Sequence, residues 1–464
     1  MAVTLSPRKA KILPWLISIA FFMQMLDSTI VNTALPAMAR SLGENPLQMQ
    51  AVVISYLLTV ALLIPASGWL ADRFGTRRIF LLAIFLFTLG SVACAMSPSL
   101  KILVLSRVLQ GAGGALLVPV GRLIVLKAYP RSELIRLLSF ITMSALIGPL
   151  FGPILGGIIV EYTSWNWIFL INIPVGLVGF VLSWLCMPDI KEEDTPHFDW
   201  FGFVVFGAGM VLLSLALDGI NELDLACFQV AGLALAGAMC LGFYWWHASR
   251  AKSPLFSLAL FGTRTFTIGI LGNLISRLGS GALPFLLPLL LQLVMGYSPS
   301  QSGLLLIFVS LSAIFSKLII AWLVHFLGYR AFLCINTALL GLLICAFSLL
   351  GKSPDLGVLI GFLLFLGVIN ANQFTSMNTL TLMDLPDVHT ASGNSLLSVV
   401  MQLSVSLGVG FSAALLKHFE RWLGPGEGFA LKAFDYTFIC VGAITLLAGL
   451  VFMQVDAKIG KRSP

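Results

Sequence analysis

The segment Leu26-Asp-Ser-Thr-Ile-Val-Asn-Thr-Ala-Leu-Pro36 places an acidic residue, Asp27, inside an apolar run at about 12–35. A run of about 20 apolar residues spans the hydrocarbon core of a bilayer. It must do so as a helix, because backbone groups in lipid have to be hydrogen-bonded within their own segment. A carboxyl group in such a helix is costly to keep ionised, so Asp27 marks a candidate functional site.

Similar apolar runs recur along the whole chain. Hydrophobic residues make up 58% of the 464 residues and charged residues only 10%, whereas a soluble domain carries about 25% charged residues. The strict alternation expected of a transmembrane β-barrel is absent. We therefore predict an all-α integral membrane protein with 14 transmembrane helices, at about 12–35, 48–71, 79–97, 101–127, 134–160, 165–187, 200–218, 226–246, 266–293, 301–324, 331–350, 355–383, 392–416 and 434–455.

The formal charge of +7 follows from membrane topology. Most of the 27 lysines and arginines fall in tails and loops on the side of the N-terminus. Cytoplasmic loops carry such an excess of basic residues, so both termini are predicted to be cytoplasmic and nucleic acid is not an expected partner. The seven cysteines form no Cys-x-x-Cys pair and the five histidines form no cluster, so we expect no metal and no other cofactor.

Two pairs of matching segments indicate an internal repeat. Trp69-Leu-Ala-Asp-Arg-Phe-Gly-Thr-Arg77 and Trp322-Leu-Val-His-Phe-Leu-Gly-Tyr-Arg330 share the pattern W-L-x4-G-x-R, and Ala34-Leu-Pro36 matches Ala282-Leu-Pro284 at a similar separation. Duplicated halves around a central site are a recurring transporter design. We predict three parts: a six-helix bundle at 1–188, a linker with two extra transmembrane helices at 189–250, and a second six-helix bundle at 251–464.

Asp27 has a candidate partner in the fourth apolar run, which contains Arg107-Val-Leu-Gln110-Gly-Ala-Gly-Gly114. Measured from the same membrane boundary at 1.5 Å per residue, the depths of Asp27 and Arg107 agree within about 3 Å. We predict that Asp27 gains and loses a proton and that Arg107 communicates with it, directly or through Gln110 or water. The alternatives are a static ion pair between helices and an Arg107 side chain that extends to the membrane surface.

A glycine motif lies in the fifth run, Gly148-Pro-Leu-Phe-Gly-Pro-Ile-Leu-Gly-Gly157. Gly148, Gly152 and Gly156 share one helical stripe, where small residues let another helix approach closely. Pro153 removes a backbone hydrogen bond and bends the helix. Tight packing is certain for such a stripe; whether the contact also moves during function is left open.

A charged motif follows the second run, Gly68-Trp-Leu-Ala-Asp-Arg-Phe-Gly-Thr-Arg-Arg78. Gly75 suits a tight turn. Asp72 and the arginines Arg73, Arg77 and Arg78 can pair across helices and hold one conformation. An ordinary basic loop is the alternative; the ordered spacing favours a gate.

Arg277 and Lys317 lie inside the ninth and tenth runs, with no acid predicted at comparable depth in the second half of the chain. They can pair with Asp27, with backbone carbonyls or with an anionic solute. The amide side chains that can line a polar substrate path are Asn32, Gln110, Asn273, Asn372 and Gln373.

Taken in order, these motifs resemble those of the major facilitator superfamily, specifically the 14-helix drug:proton antiporters. LDSTIVNTALP resembles the signature of the first span, GWLADRFGTRR the cytoplasmic gate, RVLQGAGGA the motif with the proton-linked arginine, and GPLFGPILGG the antiporter motif of exporters. The resemblance implies two six-helix bundles that alternate access to a central site, with Asp27 as the proton-linked acid and Arg107 as its partner. One departure is His325, which stands where a second gate would need its acid.

The expected function is proton-coupled export of small amphipathic or lipophilic compounds, a multidrug-type efflux, and the alternative is proton-coupled export of an anionic metabolite or siderophore. An ATP-driven pump would need a phosphate-binding loop, and 351–353 lacks the upstream glycine of that motif. An enzyme is not expected, since no G-x-S-x-G motif or comparable cluster occurs. The expected partners are a small-molecule substrate, protons and the bacterial inner membrane, and the protein is expected to work as a monomer.

Overall fold

The structure, a computed structural model, describes residues 7–192, 195, 197–221, 227–424, 428–457 and 459. These residues form helices joined by short connections. Thirteen of the described helices are long and apolar enough to cross a membrane. Large apolar side chains such as Trp15, Leu318 and Leu349 are exposed on their outer faces, as expected for helices whose solvent is lipid. An all-α multi-pass membrane protein is therefore confirmed.

The chain divides into two compact units. Unit 1 is Met1–Phe198 with Ser298–Gly303, and unit 2 is Asp199–Tyr297 with Leu304–Pro464. The two helices predicted to form a linker fall in unit 2. The division into 1–188, 189–250 and 251–464 stays a prediction, and part of it (193, 194, 196 and 222–226) lies outside the described residues.

Unit 1 contains one helix for each of the first six predicted spans, the sixth broken into two pieces. The helices are α1 Pro7–Leu42, α2 Gln50–Phe74, α3 Thr76–Ala95, α4 Leu100–Ala128, α5 Arg131–Tyr162, α6 Trp167–Leu170 and α7 Asn172–Cys186. Helix α1 packs along α5, and α4 packs between α2 and α3. These contacts bring α1, α2, α3, α4 and α7 around one point in the interior of the unit.

Unit 2 holds the remaining helices. They are α8 Trp200–Asn221, α9 Cys227–Ala248, α10 Arg264–Ser280, α11 Leu283–Leu289, α12 Pro299–Ala346, which begins in unit 1, α13 Leu356–Leu382, α14 Asp387–Leu423 and α15 Phe429–Phe452. Helix α10 packs against α13, α14 and α15. Phe332, Leu333, Leu380 and Phe452 form part of the apolar core of this unit.

Helix α12 explains why 13 long helices correspond to 14 predicted spans. Its 48 residues would extend about 72 Å, more than twice the hydrocarbon thickness of about 30 Å. Gly328 interrupts it with a positive φ of 76°, a conformation that glycine adopts without steric cost. The element is thus two spans joined at Gly328, in agreement with the predicted runs at 301–324 and 331–350.

Candidate functional site

Asp27 lies at the centre of a buried polar network inside unit 1. Its Oδ2 accepts a hydrogen bond from Arg107 Nη1 at 2.6 Å. Its Oδ1 accepts from Gln110 Nε2 at 2.8 Å and from Asn172 Nδ2 at 2.9 Å. Asp27 and Arg107 are each only 1% exposed. Asp27 and Arg107 are therefore in direct contact, as one of the predicted alternatives required, and an Arg107 side chain that reaches the membrane surface is ruled out.

The guanidinium of Arg107 has a partner on each side. Nε donates to the backbone carbonyl of Val52 at 3.2 Å, and Nη1 also donates to Gln110 Oε1 at 2.7 Å. The ring of Tyr56 lies beneath the guanidinium carbon at 4.2 Å. A buried ion pair is stable only when its remaining hydrogen-bonding groups are also satisfied. Here α2 and α4 satisfy those of Arg107.

The glycines of the Arg107 motif explain how α4 comes so close to its neighbours. A Cβ at Gly114 would lie 2.6 Å from the hydroxyl of Tyr56, and one at Gly111 would lie 3.0 Å from the Tyr56 carbonyl. On the side of α3, a Cβ at Gly113 would lie 2.6 Å from the carbonyl oxygen of Ala83. The missing side chains let Arg107 and Gln110 reach across to α1 and α3 within hydrogen-bonding distance.

The glycine stripe of α5 packs against the turn of α1 that carries Asp27. A Cβ at Gly148 would lie 2.7 Å from Met25 Cβ and 2.8 Å from the amide nitrogen of Leu26. Gly152 faces Thr29, and a Cβ at Gly156 would lie 2.6 Å from the Ile30 carbonyl. The helix approached by the stripe is thus α1, along its residues 25–30. The remaining motif residues, Pro153 and Gly157, face Gly303 and Pro299 of the short segment that belongs to unit 1.

Two members of the network were not identified from the sequence. Ser91 Oγ accepts from Gln110 Nε2 at 2.8 Å and from Asn172 Nδ2 at 3.3 Å, so it joins the two amides that bind Asp27. Asn172 begins α7 after the short helix α6. Both are small polar residues inside apolar runs, where an ordinary interhelical hydrogen bond is the usual explanation. Only the depth of Asn172, close to that of Asp27, is a signal that the sequence contains.

Asp72 of the gate motif pairs with a lysine rather than with the arginines of the motif. Its Oδ1 accepts from Lys127 Nζ at 2.7 Å, and the same Nζ lies 2.6 Å from Glu192 Oε1. Proximity to Lys127, chiefly through this hydrogen bond, holds the pKa of Glu192 below its ordinary value. Asp72 therefore does pair across helices, and its partner is Lys127 of α4 and not an arginine of the motif.

Among the described residues, the arginines of the gate motif form a weaker ion pair than Asp72 does. Arg78 Nε lies 3.8 Å from Asp189 Oδ2, and these side chains are 77% and 39% exposed. A long ion pair near solvent contributes little to stability. Arg73 and Arg77 form no ion pair among the described residues. A Cβ added to Gly68 would meet no described atom within 4 Å, so space alone does not require glycine there.

Gly75 joins α2 to α3 with a positive φ of 99°, and the chain after α7 runs alongside it. Residues 187–192, the exit segment of unit 1, are held by backbone hydrogen bonds from Thr76 N to the Ile190 carbonyl and from Glu192 N to the Asp72 carbonyl, both 3.0 Å. In unit 2, Tyr329 N, directly after Gly328, donates in the same way to the Ile459 carbonyl at 3.2 Å. The predicted sequence repeat therefore has a structural counterpart in both units.

Arg277 and Asn273 lie together on α10 in unit 2. Arg277 Nε donates to Asn273 Oδ1 at 3.1 Å, and the guanidinium carbon lies 4.4 Å from the ring centroid of Phe374 on α13. Arg277 does not pair with Asp27, and it belongs to no ion pair within the described part of the chain. Lys317 is exposed.

The other predicted path residues separate into two groups. Gln373 is part of a buried hydrogen-bond network, since it accepts from Asn336 at 2.8 Å and donates to Thr337 at 2.7 Å. Asn32 and Asn372 are buried, and the side-chain oxygen of each has no hydrogen-bond partner among the described residues. Gln373 thus has hydrogen-bond partners within the protein, whereas the side-chain oxygens of Asn32 and Asn372 have none among the described residues. That these residues line a substrate path stays a prediction.

Comparison with known proteins places these features in a family. A sequence model described as Major Facilitator Superfamily matches residues 17–199 and 269–463. The chain is 48% identical over 444 residues to "Putative multidrug resistance protein MdtD" of Serratia proteamaculans, a match that covers 96% of this chain and 93% of that protein. It is 49% identical over 445 residues to the protein of the same name from Salmonella paratyphi A, covering 95% and 94%.

Solved structures share the fold at low sequence identity. The POT family transporter PepTSo matches with a TM-score of 0.73 at 15% identity, over 97% of both chains. A D-xylose-proton symporter matches with a TM-score of 0.67 at 15% identity, over 96% of this chain and 98% of that one. At this identity the likeness concerns the arrangement of helices and not the transported compound.

Proposed function

The chain belongs to the major facilitator superfamily, and we propose that it is a proton-coupled secondary transporter that exports small amphipathic or lipophilic compounds by alternating access. The observation that carries the proposal is the Asp27–Arg107 ion pair, buried in unit 1 among amide donors. The names of the relatives from Serratia and Salmonella support export of several unrelated compounds.

Protonation of Asp27 is the proposed coupling step. Among the described residues, Arg107 is the sole hydrogen-bond donor to Oδ2, whereas Gln110 and Asn172 hold Oδ1. A proton added to Oδ2 therefore replaces the contact with Arg107 and leaves the two amide contacts in place. The released guanidinium keeps its contacts with Gln110 and with the Val52 carbonyl. Proton binding thus changes how α1 and α4 are joined without a need to unfold the site.

The proposal also includes location and gating. Both termini are proposed to face the cytoplasm of a bacterial cell and the protein to work as a monomer in the inner membrane. Asp72, Arg73, Gly75, Arg77, Arg78 and Gly68 would then lie at the cytoplasmic face, with the Asp72–Lys127–Glu192 cluster as the contact that opens and closes. The tie between residues 187–192 and the Gly75 turn supports this role.

The test is transport by the purified protein in proteoliposomes with an imposed pH gradient. Each pH unit supplies about 1.4 kcal/mol per proton, so a coupled exporter concentrates a lipophilic dye such as ethidium against its gradient. Asp27→Asn should abolish the concentrative transport and retain dye movement down its own gradient. The matched control is Asp435→Asn, which alters an acid of α15 that has no ion pair among the described residues. Concentrative transport by Asp27→Asn at the wild-type level would refute the coupling role.

A further inference from the structure

Arg277 is a buried cation with no carboxylate partner among the described residues. Arg277 is only 9% exposed. Nη2 has no hydrogen-bond partner among the described residues, and no carboxylate there lies within ion-pair distance. Arg107 is a buried arginine too, but its guanidinium donates to a carboxylate, an amide oxygen and a backbone carbonyl. Arg277 therefore lacks the anionic partner that makes a buried guanidinium stable.

The guanidinium is held in place although its charge is unpaired. Asn273 accepts from Nε, and its own Nδ2 donates to the Gly269 carbonyl at 3.0 Å and to Thr381 Oγ1 at 3.4 Å. Helices α10 and α13 are in close contact there, because a Cβ at Gly269 would lie 2.8 Å from the Cα of Thr381. One edge of the guanidinium is thus fixed by the protein, and no described residue provides an acceptor for Nη2.

The second contact of Arg277 is an aromatic ring that remains accessible. Phe374 lies 4.4 Å from the guanidinium carbon and is 42% exposed. A ligand that reaches Arg277 across this ring meets an apolar aromatic face next to a hydrogen-bond donor with a positive charge. That combination suits a compound with an aromatic or aliphatic body and one anionic oxygen group.

We propose that Arg277, with Asn273 and Phe374, forms a substrate subsite in unit 2 for the carboxylate of amphipathic organic anions. The physiological meaning of this subsite rests on the proposed export function, but binding itself requires no proton gradient. A carboxylate accepts hydrogen bonds from an arginine in a planar, two-point geometry, and Nη2 offers one of those donors. The subsite explains why an unneutralised arginine is kept inside a membrane helix, where such residues are costly.

The experiment measures equilibrium binding of 1-naphthoate and of its neutral, isosteric amide, 1-naphthamide, to the full chain in phosphatidylcholine nanodiscs. Wild type should bind the carboxylate at least about tenfold more tightly than the amide, the factor expected for a charge-assisted hydrogen bond. Arg277→Gln should reduce that preference to within about twofold, and Arg277→Lys should restore part of it. Arg122→Gln is the matched control: Arg122 is also in a membrane helix but is exposed, and its removal should leave the preference unchanged.

Thermal unfolding in the absence of ligand separates a binding role from a structural one. Removal of an unneutralised buried charge should leave the unfolding temperature of Arg277→Gln equal to or above that of wild type, whereas Arg107→Gln should lower it. A lower unfolding temperature for Arg277→Gln would assign Arg277 a structural role and overturn the proposal. So would a carboxylate preference that persists in Arg277→Gln, or a wild type that binds no naphthoate or binds both probes equally. If Asp27→Asn transported dye at the wild-type level, the coupling proposal would fail and these binding results would be unaffected. The two proposals therefore fail separately.

Discussion

Gly156→Ala tests whether the contact between α5 and α1 positions Asp27. The added Cβ would lie 2.6 Å from the carbonyl oxygen of Ile30, whereas ordinary contacts begin at 3.4 Å. The opposing atom is backbone, so no side-chain rotation relieves the clash, and α1 must move by about 0.8 Å at this position. Overpacking of this kind costs roughly 1–3 kcal/mol.

The displacement acts on the proton site because Asp27 is one helical turn from Ile30. The three hydrogen bonds to its carboxylate are 2.6, 2.8 and 2.9 Å long. A shift of about 0.8 Å would take them to or beyond the upper limit of hydrogen-bond geometry. We expect concentrative transport to fall by about tenfold, which corresponds to about 1.4 kcal/mol of lost coupling.

The assay is dye transport in proteoliposomes under a pH gradient, together with thermal unfolding of the purified protein. Gly179→Ala in α7 is the control, because no described atom lies within 4 Å of its added Cβ and alanine is the better helix former by roughly 0.5–1 kcal/mol. It should transport normally and unfold at the wild-type temperature or above. Wild-type transport and stability in Gly156→Ala would show that α1 does not depend on this contact, and the reasoning would be wrong.

Two other perturbations address the network and the gate. Asn172→Ala removes a donor to Asp27 and should lower the free energy of unfolding by about 1.5–3 kcal/mol with a loss of concentrative transport; an unchanged unfolding curve would contradict its place in the network. Glu192→Gln tests pH dependence: because Lys127 lowers the pKa of Glu192, their contact is complete above the ordinary value of about 4.3 and is lost only as pH falls through the lower folded value. Wild type and Glu192→Gln should therefore show the same shape of pH profile between about pH 5.5 and 8, and a difference confined to that window would contradict this assignment.

The sequence predicted the contact between Asp27 and Arg107 because depth in a membrane can be counted in residues. Asp27 and Arg107 had similar depths, and they are in contact. Depth says nothing about rotation of a helix about its axis or about which small polar residues face inward. Ser91 and Asn172 were therefore missed, although they complete the shell around Asp27 and Gln110.

For the gate motif, the sequence did not predict which residue pairs with Asp72. The sequence predicted that the charges of the motif pair across helices, but it did not identify their partners. The actual partner of Asp72 is Lys127, 55 residues further along the chain, and Glu192 of the exit segment shares it. A partner from another helix depends on packing between helices, which spacing within one motif does not encode. For Arg277, by contrast, the absence of an acid at its depth in the sequence matched its unpaired state among the described residues.

The backbone ties at Gly75 and Gly328 bear on how the two halves of the chain have diverged. Each tie joins an amide nitrogen and a carbonyl oxygen, from Thr76 to Ile190 and from Tyr329 to Ile459. In unit 1 the Thr76 side chain adds to the tie, because its Oγ1 donates to the Pro188 carbonyl at 3.2 Å and accepts from Ile190 N at 3.1 Å. The Tyr329–Ile459 bond joins two backbone atoms and does not depend on the identity of either side chain. In unit 2 this backbone bond is present although His325 stands at the position that corresponds to Asp72. The connection between the loop glycine and the segment at the end of each unit is therefore compatible with a repeat that lacks the ion-pairing acid.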